Sequence, residues 1–303
     1  DYVGIGDDDV LVLTSVEHDH IDIYPDAAAY EAAFAGLLAR MPAGGLVVGD
    51  GRDPVVRRLL AAAPCRTVLY ALEGDDTGPE AATWLGAHGG VDDPGLQHFD
   101  LYAGGVSLGR FTLGAAGRHN VRNAVGALAA CAEGFGVPPT TGRRALAQFS
   151  GVKRRQELVG SPRGIAIYDD FAHHPTAVDE TLRALRAKHP RGRLFAAFEP
   201  RSATACRPLH QEAYAGAFAA ADRVLLAPLG RVLPEGERLD VAGLATRIGP
   251  KATAAPDLTS LAAILEAEAR PGDTVVLLSN GTFGGLPQTL PTTLAARGDD
   301  ETP

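Results

Sequence analysis

Short runs of Val and Leu alternate with longer, alanine-rich segments in the first half of the chain. Such runs, bounded by polar residues, are typical of strands that are buried on both faces. The longer segments have the length of helices, and Asp26 stands where a helix cap is needed. The alternation predicts a parallel sheet covered by helices. The predicted strands are 10–14, 46–48 and 67–70, and the predicted helices are 26–40 and 54–63.

The pattern changes between residues 97 and 113. Two short alternating runs, 97–102 and 106–113, are separated by Gly104-Gly105, which predicts a hairpin. Two helices are predicted after it, at 120–132 and 141–149.

The second half begins a new alternation after Gly151. It predicts a second parallel α/β domain, and 303 residues exceed the usual size of one hydrophobic core. We therefore predict an α/β fold with two domains, 1–150 and 151–303. The second domain has predicted strands at 165–168, 194–198, 224–227 and 274–278, and predicted helices at 176–188, 208–221 and 257–269.

The composition predicts a globular chain and argues against two classes of partner, nucleic acids and membranes. Hydrophobic residues make up 46% of the chain and charged residues 21%, a balance that can bury a core. The formal net charge of −9 argues against a nucleic-acid-binding protein, because such proteins attract phosphate with clustered Lys and Arg. No run of about eighteen apolar residues occurs, so no membrane partner is expected.

The three cysteines are far apart in sequence and form no metal-binding or disulfide-type pattern. We interpret Cys65, Cys131 and Cys206 as buried thiols of a cytoplasmic protein. The chain begins with Asp1 rather than Met and has no signal-like segment, so we expect it to start inside a longer gene product.

Residues 17–20, Glu-His-Asp-His, directly follow the first predicted strand. Open parallel sheets bind ligands outside the carboxyl ends of their strands. Imidazole and carboxylate groups can hold Mg²⁺, which keeps several of its waters in phosphate chemistry. A solvated loop in which His20 caps the next helix explains the same residues equally well, so both interpretations stay open at this point.

Residues 117–123, Gly-Arg-His-Asn-Val-Arg-Asn, stand before an apolar helix. Helix N-termini offer unpaired N–H groups, and Asn side chains can both donate to and accept from a purine edge. The segment therefore indicates a contact with a nucleotide base. Asn120 as an ordinary helix N-cap is the alternative, and it is favoured when the segment is taken alone.

Three consecutive cations, Lys153, Arg154 and Arg155, lie at the join between the halves. Arginine in this position can clamp a polyphosphate and offset the charge that develops in phosphoryl transfer. A charge run that faces water is the alternative.

The predicted strand 165–168 runs into Asp169, Asp170, Phe171, Ala172, His173 and His174. Acids and imidazoles at the end of a strand are costly to bury without partners, so a functional role is favoured. A second metal site competes with this interpretation, although no ligand spacing of a known kind is present.

Two later strands also end in polar or glycine-rich turns, at 198–204 and 278–285. Both turns fall on the carboxyl edge of the second predicted sheet, where side chains and backbone N–H groups can meet one carboxylate-bearing ligand. A surface ion pair of Arg201 and ordinary turn glycines are the alternatives.

Taken in order, these motifs resemble those of the Mur ligase family, whose members form an amide from a carboxylate and an amine through an acyl phosphate made with ATP. The likeness covers nearly the whole chain and is strongest to members that join a murein tripeptide to UDP-N-acetylmuramate in peptidoglycan recycling. The strings that carry it are Gly-Val-Lys-Arg-Arg at 151–155, Tyr-Asp-Asp-Phe-Ala-His-His-Pro-Thr at 168–176, Phe-Glu-Pro-Arg-Ser at 198–202, and Ser-Asn-Gly with Phe-Gly-Gly within 279–285.

The resemblance implies a partial central ATP-binding domain at 1–150 and a Rossmann-like amino-acid- or peptide-binding domain at 151–303. It implies ATP and Mg²⁺ as cofactors. By position, His20 resembles the family's Mg²⁺-binding histidine. The adenine-contacting motif is matched by Asn120 and Asn123, with His119 beside them.

In the second domain, Arg155 resembles the arginine that reaches the ATP phosphates, and Asp169 resembles the acid that holds the ribose. The resemblance also implies catalytic roles for Arg155, His173 and His174. By the same resemblance, the incoming peptide is expected to contact His173, His174, Arg201, Ser279 and Asn280.

The sequence departs from the family pattern in several respects. A Gly-x-x-x-x-Gly-Lys-Ser/Thr phosphate loop and the domain for the UDP-sugar are absent, and Ser15 stands where relatives commonly carry Asn. We therefore expect a ligase fragment that does not turn over ATP alone. A non-catalytic nucleotide- and peptide-binding module is the alternative from another class. Muramate–alanine ligase and folylpolyglutamate synthase are the alternatives within the family.

Overall fold

The computed structural model describes residues 9–92 and 96–296. The chain forms two compact units, Asp1–Ser150 and Gly151–Pro303. Within the described ranges, no helix combines the length and the apolar character needed to cross a membrane.

The first unit is built on a six-stranded sheet whose strands follow one another in chain order. Strands β1 to β4 are parallel, whereas β5 and β6 are antiparallel additions that form the predicted hairpin. The strands are β1 (Val10–Leu13), β2 (Leu46–Asp50), β3 (Arg66–Leu72), β4 (Trp84–Val91), β5 (Gln97–Ala103) and β6 (Val106–Leu113).

Helices cover both faces of this sheet because successive residues of a strand point to opposite sides. In β2, Val48 packs into a core with α3, whereas Val47 packs into a second core with α1 and α2. Asp26 caps α1 by accepting a hydrogen bond from the Ala29 backbone N–H at 2.8 Å. The helices are α1 (Ala27–Leu38), α2 (Pro54–Ala61), α3 (Arg118–Phe135) and α4 (Pro139–Gln148).

The outer strand of the hairpin, β6, is accompanied by α4. Arg143 of α4 donates a hydrogen bond to the Leu108 carbonyl, and its guanidinium lies 4.8 Å from the centre of the Phe111 ring. One helix residue therefore contacts both the backbone and a side chain of this strand.

The second unit contains a six-stranded sheet with the order β11-β10-β9-β12-β8-β7. All neighbouring strands are parallel except β7, which is antiparallel to β8. Since β8, β12 and β9 are adjacent and parallel, their carboxyl ends lie side by side. The strands are β7 (Glu157–Gly160), β8 (Ala166–Asp170), β9 (Leu194–Phe198), β10 (Arg223–Leu226), β11 (Ala252–Ala254) and β12 (Thr274–Leu278).

Both faces of the second sheet are also covered. In β9, Phe198 packs with α5 and α6, whereas Phe195 packs on the opposite face with α8 and α9. This arrangement confirms the predicted α/β fold class. The helices are α5 (Pro175–Lys188), α6 (Gln211–Ala217), α7 (Val241–Ile248), α8 (Leu258–Glu268) and α9 (Leu286–Ala296).

Several local predictions are wrong. Helix α3 begins at Arg118 rather than near residue 120, and the predicted helix 208–221 is regular only over Gln211–Ala217 after one 3₁₀ turn. The prediction of three buried thiols fails at Cys131, which is exposed, whereas Cys65 is half-buried and Cys206 is buried.

Candidate functional site

The loop after β1 contains a tight turn at His20. Its φ of 54° lies in the left-handed region, and its carbonyl accepts hydrogen bonds from the Ile23 N–H at 2.8 Å and the Tyr24 N–H at 2.9 Å. The imidazole is exposed. Because α1 begins at Ala27 and is capped by Asp26, the alternative in which His20 caps this helix is wrong.

Asp53 fixes the start of the same loop. One carboxylate oxygen accepts from the Val16 N–H at 2.8 Å, and the other accepts from the Val55 N–H at 2.8 Å in the first turn of α2. The segment that leads to His20 is therefore attached to the neighbouring helix.

His20 is the residue assigned to Mg²⁺ by resemblance. In the described part of the chain, no three or more His, Cys, Asp or Glu side chains are grouped so that they could hold a metal ion. A Mg²⁺ ion in phosphate chemistry needs only one or two protein ligands beside substrate oxygens and water. An exposed imidazole after a parallel strand is compatible with that role, and the assignment stays a prediction.

Helix α3 starts at a glycine turn. Gly117 has a φ of 106°, and its N–H donates to Gln97 Oε1 at 3.0 Å. Gln97 is itself buried in β5, so the hairpin sets the position at which α3 begins.

The residues assigned to the nucleotide base lie in the first turns of α3. Asn120 Nδ2 donates to the Ala116 carbonyl at 2.7 Å, and Asn120 is inside the helix, so its interpretation as an N-cap is wrong. Asn123 is exposed three residues later, on the same helix face as Asn120. His119 is half-buried beside them.

A buried ionic cluster joins α3 to the carboxyl ends of β2 and β3. Arg122 Nη1 donates to Asp50 at 3.0 Å and to Asp75 at 2.6 Å, and its Nη2 donates to Asp75 at 3.0 Å. The side chain of Arg122 is 5% exposed and that of Asp50 is 0% exposed. Arg118 reaches Asp75 at 3.2 Å. These ion pairs thus hold the start of α3 against the carboxyl ends of β2 and β3.

The two carboxylates of this cluster differ electrostatically. Burial raises the pKa of Asp50, although Arg122 and Arg52 act in the opposite direction. Burial also acts to raise the pKa of Asp75, but hydrogen bonds from Arg122 and the Leu72 N–H outweigh it and hold this pKa below its ordinary value. The charged form is therefore favoured more strongly in Asp75 than in Asp50, which makes Asp75 the main anionic partner of Arg122.

In the second unit, Arg154 connects the ends of β8 and β12. Its Nε donates to Asp169 at 3.2 Å, and its Nη2 donates to the carbonyls of Ser279 at 2.6 Å and Gly281 at 2.5 Å. The guanidinium also lies 5.2 Å from the centre of the Phe171 ring. The interpretation of this cation as part of a run that faces water is wrong.

The two acids at the end of β8 are both buried. Burial raises the pKa of Asp169, and Arg154 opposes the shift. Burial also raises the pKa of Asp170, and this effect is opposed by the N–H groups of Ala172 at 2.8 Å and Gln156 at 2.7 Å. Asp170 shapes the turn, whereas Asp169, the residue assigned to ribose, is paired with Arg154.

Phe171 lies between two of the predicted site residues. The Arg155 guanidinium is 5.1 Å from the centre of its ring, and the His173 ring meets it edge-on at 5.5 Å. His173 Nδ1 also lies 3.0 Å from the Phe171 carbonyl. Arg155 is exposed and forms no ion pair with the residues that the structure describes. It is a cation that an anionic ligand can reach.

His174 has a different environment from its neighbour. It is the N-cap residue of α5, and its ring lies 4.6 Å from the ring of His210 in an edge-on arrangement. The hydroxyl of Tyr214 donates to the His173 carbonyl, which fixes the backbone between the two histidines. His173 therefore lies beside Arg155 and Phe171, whereas His174 packs against His210.

The loop after β12 is held by Glu199 from the end of β9. Ser279 Oγ donates to Glu199 at 2.5 Å, and the Gly281 N–H donates to Ser279 Oγ at 2.9 Å. Glu199 and Ser279 are both buried. With Arg154 bound to its carbonyls, the 279–281 loop is held by both neighbouring strands.

Arg201 and Asn280 have polar atoms at this edge that make no hydrogen bond to a described residue. The nearest carboxylate oxygen to the Arg201 guanidinium belongs to Glu199 at 3.6 Å, which is outside hydrogen-bond range. The Arg201 side chain is 44% exposed, and its guanidinium makes no hydrogen bond to any described residue. Asn280 Oδ1 is buried and also lacks a hydrogen-bond partner in that part of the chain. Donors and an acceptor are thus available close together.

The structure therefore gathers Asp169, Arg201, Ser279 and Asn280 at the carboxyl edge of the second sheet. The Arg122 cluster, the scaffolding role of Arg154 and the buried Glu199 were not predicted. One signal was present in the sequence. Arg122 stands among apolar residues on the buried face of α3, where a charge requires a buried partner.

Comparisons with known proteins place both units in one family of enzymes. The profile of the Mur ligase middle domain matches residues 3–131, and the profile described as "Mur ligase, glutamate ligase domain" matches residues 154–281.

Relatives of two kinds match at similar identity. The chain is 33% identical over 279 residues to the UDP-N-acetylmuramate–L-alanyl-γ-D-glutamyl-meso-2,6-diaminoheptandioate ligase of Haemophilus influenzae, covering 92% of the chain and 58% of the relative. It is 34% identical over 306 residues to the UDP-N-acetylmuramate–L-alanine ligase of Mycobacterium sp. (strain JLS), covering 97% of the chain and 61% of the relative. It spans about three fifths of these proteins.

A solved structure has the same fold over nearly the whole chain. The murein peptide ligase of Psychrobacter arcticus 273-4 superposes with a TM-score of 0.65 at 26% identity, covering 95% of this chain and 58% of that one.

Proposed function

The chain belongs to the Mur ligase family, and on this premise we propose that it forms the nucleotide-binding and amine-substrate-binding parts of an ATP-dependent amide ligase. The proposed reaction joins the tripeptide L-alanyl-γ-D-glutamyl-meso-2,6-diaminoheptanedioate to UDP-N-acetylmuramate. The observation that carries this proposal is the edge of the second sheet, where the Arg201 guanidinium and Asn280 Oδ1 make no hydrogen bonds to described residues. Free carboxylates and N–H groups of a peptide are the complementary groups.

The choice of the tripeptide over L-alanine depends on Arg201 and the motif strings around it. Relatives of both kinds match at 33–34% identity, so identity alone does not separate them. The tripeptide carries several carboxylates and L-alanine carries one. A guanidinium with open donors suits the additional carboxylates, because its planar fork binds a carboxylate through two hydrogen bonds.

In the proposed reaction, the γ-phosphoryl group of ATP passes to the muramate carboxylate, which becomes an acyl phosphate, and ADP leaves. The tripeptide amine then attacks the acyl phosphate, inorganic phosphate leaves, and the amine loses a proton. His20 would hold Mg²⁺, which would supply positive charge to offset the repulsion between the two anions. Arg155 offsets phosphate charge from its exposed position over Phe171. Asn120 and Asn123 bind the base, and Asp169 binds the ribose.

His173 is the proposed acceptor of the amine proton. Its Nδ1 lies 3.0 Å from the Phe171 carbonyl, so Nδ1 carries the hydrogen and Nε2 is the acceptor in the neutral ring. A neutral imidazole nitrogen is a suitable general base near neutral pH. His174 supports this position from the next residue through its contact with His210.

The substrate part of the proposal is tested by calorimetry with the tripeptide and with L-alanine. We expect the chain to bind the tripeptide, and we expect Arg201→Ala to weaken this binding by about tenfold or more, because a charged hydrogen bond to a carboxylate is lost. Arg183→Ala is the matched control, since Arg183 is an exposed arginine of α5 whose ion-pair partner among the described residues is Asp179 on its own helix. Equal affinities of the wild type and Arg201→Ala would contradict the proposal.

The catalytic part is tested with the native gene product. We expect ATP hydrolysis that requires both UDP-N-acetylmuramate and the tripeptide. A requirement for L-alanine in place of the tripeptide would refute the specificity. Binding of ATP and tripeptide without turnover would identify a non-catalytic binding module instead.

A further inference from the structure

Two glycines lie against the side chain of Arg201. A Cβ atom added to Gly281 would lie 2.1 Å from Arg201 Cδ and 2.4 Å from its Nε, and a Cβ added to Gly230 would lie 2.7 Å from Arg201 Cγ and 3.0 Å from its Cβ. Unbonded carbon atoms normally stay about 3.5–4.0 Å apart. The aliphatic stem of Arg201 therefore occupies space that any other residue at positions 230 and 281 would fill.

Backbone conformation does not explain these glycines. Neither Gly230 nor Gly281 is among the residues with a left-handed φ, unlike Gly284 and Gly285 a few residues farther on. An alanine could adopt the backbone conformation of either residue. The close approach of Arg201 is the feature that requires the absence of a side chain.

Hydrogen bonds hold both glycines in place. The carbonyl of Gly281 accepts from Arg154 at 2.5 Å, and its N–H donates to Ser279 Oγ at 2.9 Å. The N–H of Gly230 donates to the Pro200 carbonyl at 2.8 Å. The surfaces that contact the Arg201 stem are thus attached to the ends of β8, β9 and β12.

The backbone of Arg201 is held as well, whereas its guanidinium is not. The Arg201 carbonyl accepts from Arg231 Nε at 2.9 Å. Beyond the glycines, the guanidinium has one ion pair among the residues that the structure describes, with Glu199 at 3.6 Å. The other carboxylate oxygen of Glu199 accepts a hydrogen bond from the hydroxyl of Ser279 at 2.5 Å. The stem is ordered, and the donors at its tip are open to a ligand.

We propose that Gly230 and Gly281 form a slot that fixes the stem of Arg201 and thereby sets the position at which the second unit binds a substrate carboxylate. This inference rests on the proposed role of Arg201 in substrate binding. An arginine whose stem is already ordered loses less conformational entropy when it binds. The two glycines are positioning residues, since they act on the substrate only through Arg201.

The slot itself is tested by thermal unfolding of the chain without any ligand. Gly281→Ala is expected to lower the Tm of the second unit by about 2–4 °C, because the new methyl group collides with the arginine stem. In an Arg201→Ala background the same substitution is expected to have no effect on Tm. Gly236→Ala is the control, since a Cβ there meets no atom within 4 Å and its φ is not left-handed. An equal loss of Tm with and without Arg201 would overturn the slot.

The ligand is tested by calorimetry with the same variants, with tripeptide and L-alanine as separate probes. We expect Gly281→Ala to weaken tripeptide binding about tenfold, Gly236→Ala to leave it unchanged, and Arg201→Ala/Gly281→Ala to bind no more weakly than Arg201→Ala. Tripeptide affinity unchanged in Gly281→Ala would overturn the inference. If only L-alanine bound, and Gly281→Ala weakened that binding, the result would support the slot and contradict the tripeptide as the substrate.

Discussion

Arg122 in the first unit and Arg201 in the second both lie near the carboxyl ends of parallel strands, yet their surroundings differ. Arg122 is 5% exposed and donates three hydrogen bonds to two carboxylates. Arg201 is 44% exposed and has one carboxylate at 3.6 Å. The guanidinium of Arg122 is buried and bonded to two carboxylates of its own protein, whereas that of Arg201 is partly exposed and makes no hydrogen bond to a described residue.

This difference separates a structural arginine from the proposed binding group. A buried cation that is hydrogen-bonded to several partners holds structural elements together, and removal of one partner leaves an uncompensated charge. A cation held by its stem with open donors contributes little to the fold and can exchange water for a ligand. Arg154 resembles Arg122 rather than Arg201 in its hydrogen bonding, because it donates to Asp169 and to two carbonyls.

The largest expected effect comes from Arg122→Ala. Asp50 and Asp75 would lose their shared cation inside the first unit, so we expect the free energy of unfolding to fall by about 3–5 kcal/mol. Trp84 is the only tryptophan of the chain and lies in the first unit, so its fluorescence during urea unfolding reports this change. Arg201→Ala is the comparison, and the stability of its own unit, followed by circular dichroism during urea unfolding, should change by no more than about 0.5 kcal/mol. Similar losses in the two variants would break the distinction.

A smaller loss is expected from Arg154→Ala. The buried carboxylate of Asp169 and the carbonyls of Ser279 and Gly281 would lose their donor, so we expect a destabilisation of the second unit of about 2–3 kcal/mol. Circular dichroism during urea unfolding measures it, with the Trp84 signal as an internal reference for the first unit. If only the Trp84 transition moved, Arg154 would not hold the second sheet edge.

Arg201→Lys tests whether the planar donors of Arg201, and not only its charge, contribute to substrate binding. Lysine keeps the charge but loses the planar fork of donors, so we expect tripeptide affinity to fall about tenfold, which is about 1.4 kcal/mol, at unchanged stability. Calorimetry and thermal unfolding of the same preparation measure both quantities. An affinity equal to that of the wild type would mean that Arg201 acts only as a point charge.

The smallest expected effect is a change in pH dependence. The pKa of Asp75 lies below its ordinary value of 3.8, so its contribution to stability is present above that value and is lost as the pH falls through the lower, folded-state pKa. Asp75→Asn should therefore make the stability of the first unit fall less steeply between about pH 5 and pH 3.

Asp273 provides the control for this experiment. Burial acts to raise its pKa, but hydrogen bonds from Arg193 and from backbone N–H groups outweigh it, so this pKa is also lowered, in the second unit. Asp273→Asn should leave the acid dependence of the Trp84 transition unchanged. A first-unit slope that is the same in wild type and Asp75→Asn would contradict the ionic role of Asp75.

Strands with strong apolar patterns were predictable from the sequence. The runs in β2, β9 and β12 are buried on both faces, which leaves little ambiguity. The elements that were missed have weak or conflicting local signals. β4 is rich in glycine, β11 has three residues, and α9 contains Pro291. These elements depend on tertiary packing that overrides local propensity.

The placement of the second-unit candidates at one sheet edge was also predictable, because carboxyl ends of adjacent parallel strands lie together. Their individual contacts were not. Arg122 and Asp50 are 72 positions apart, and Arg154 and Gly281 are 127 positions apart. Composition and spacing do not specify which of several arginines meets which acid, so sequence could not separate Arg154 from Arg155 in their structural roles.

The contact of α4 with β6 has a consequence for how the first unit behaves in a crowded solution. An outer strand exposes a row of backbone N–H and C=O groups that can template pairing with another chain. Here Arg143 occupies the Leu108 carbonyl, and Gly109, at a φ of 82°, interrupts the regular strand at the next residue. The row of backbone groups on β6 that could pair with a strand of another chain is interrupted near its middle. This interruption disfavours aggregation through the β6 edge.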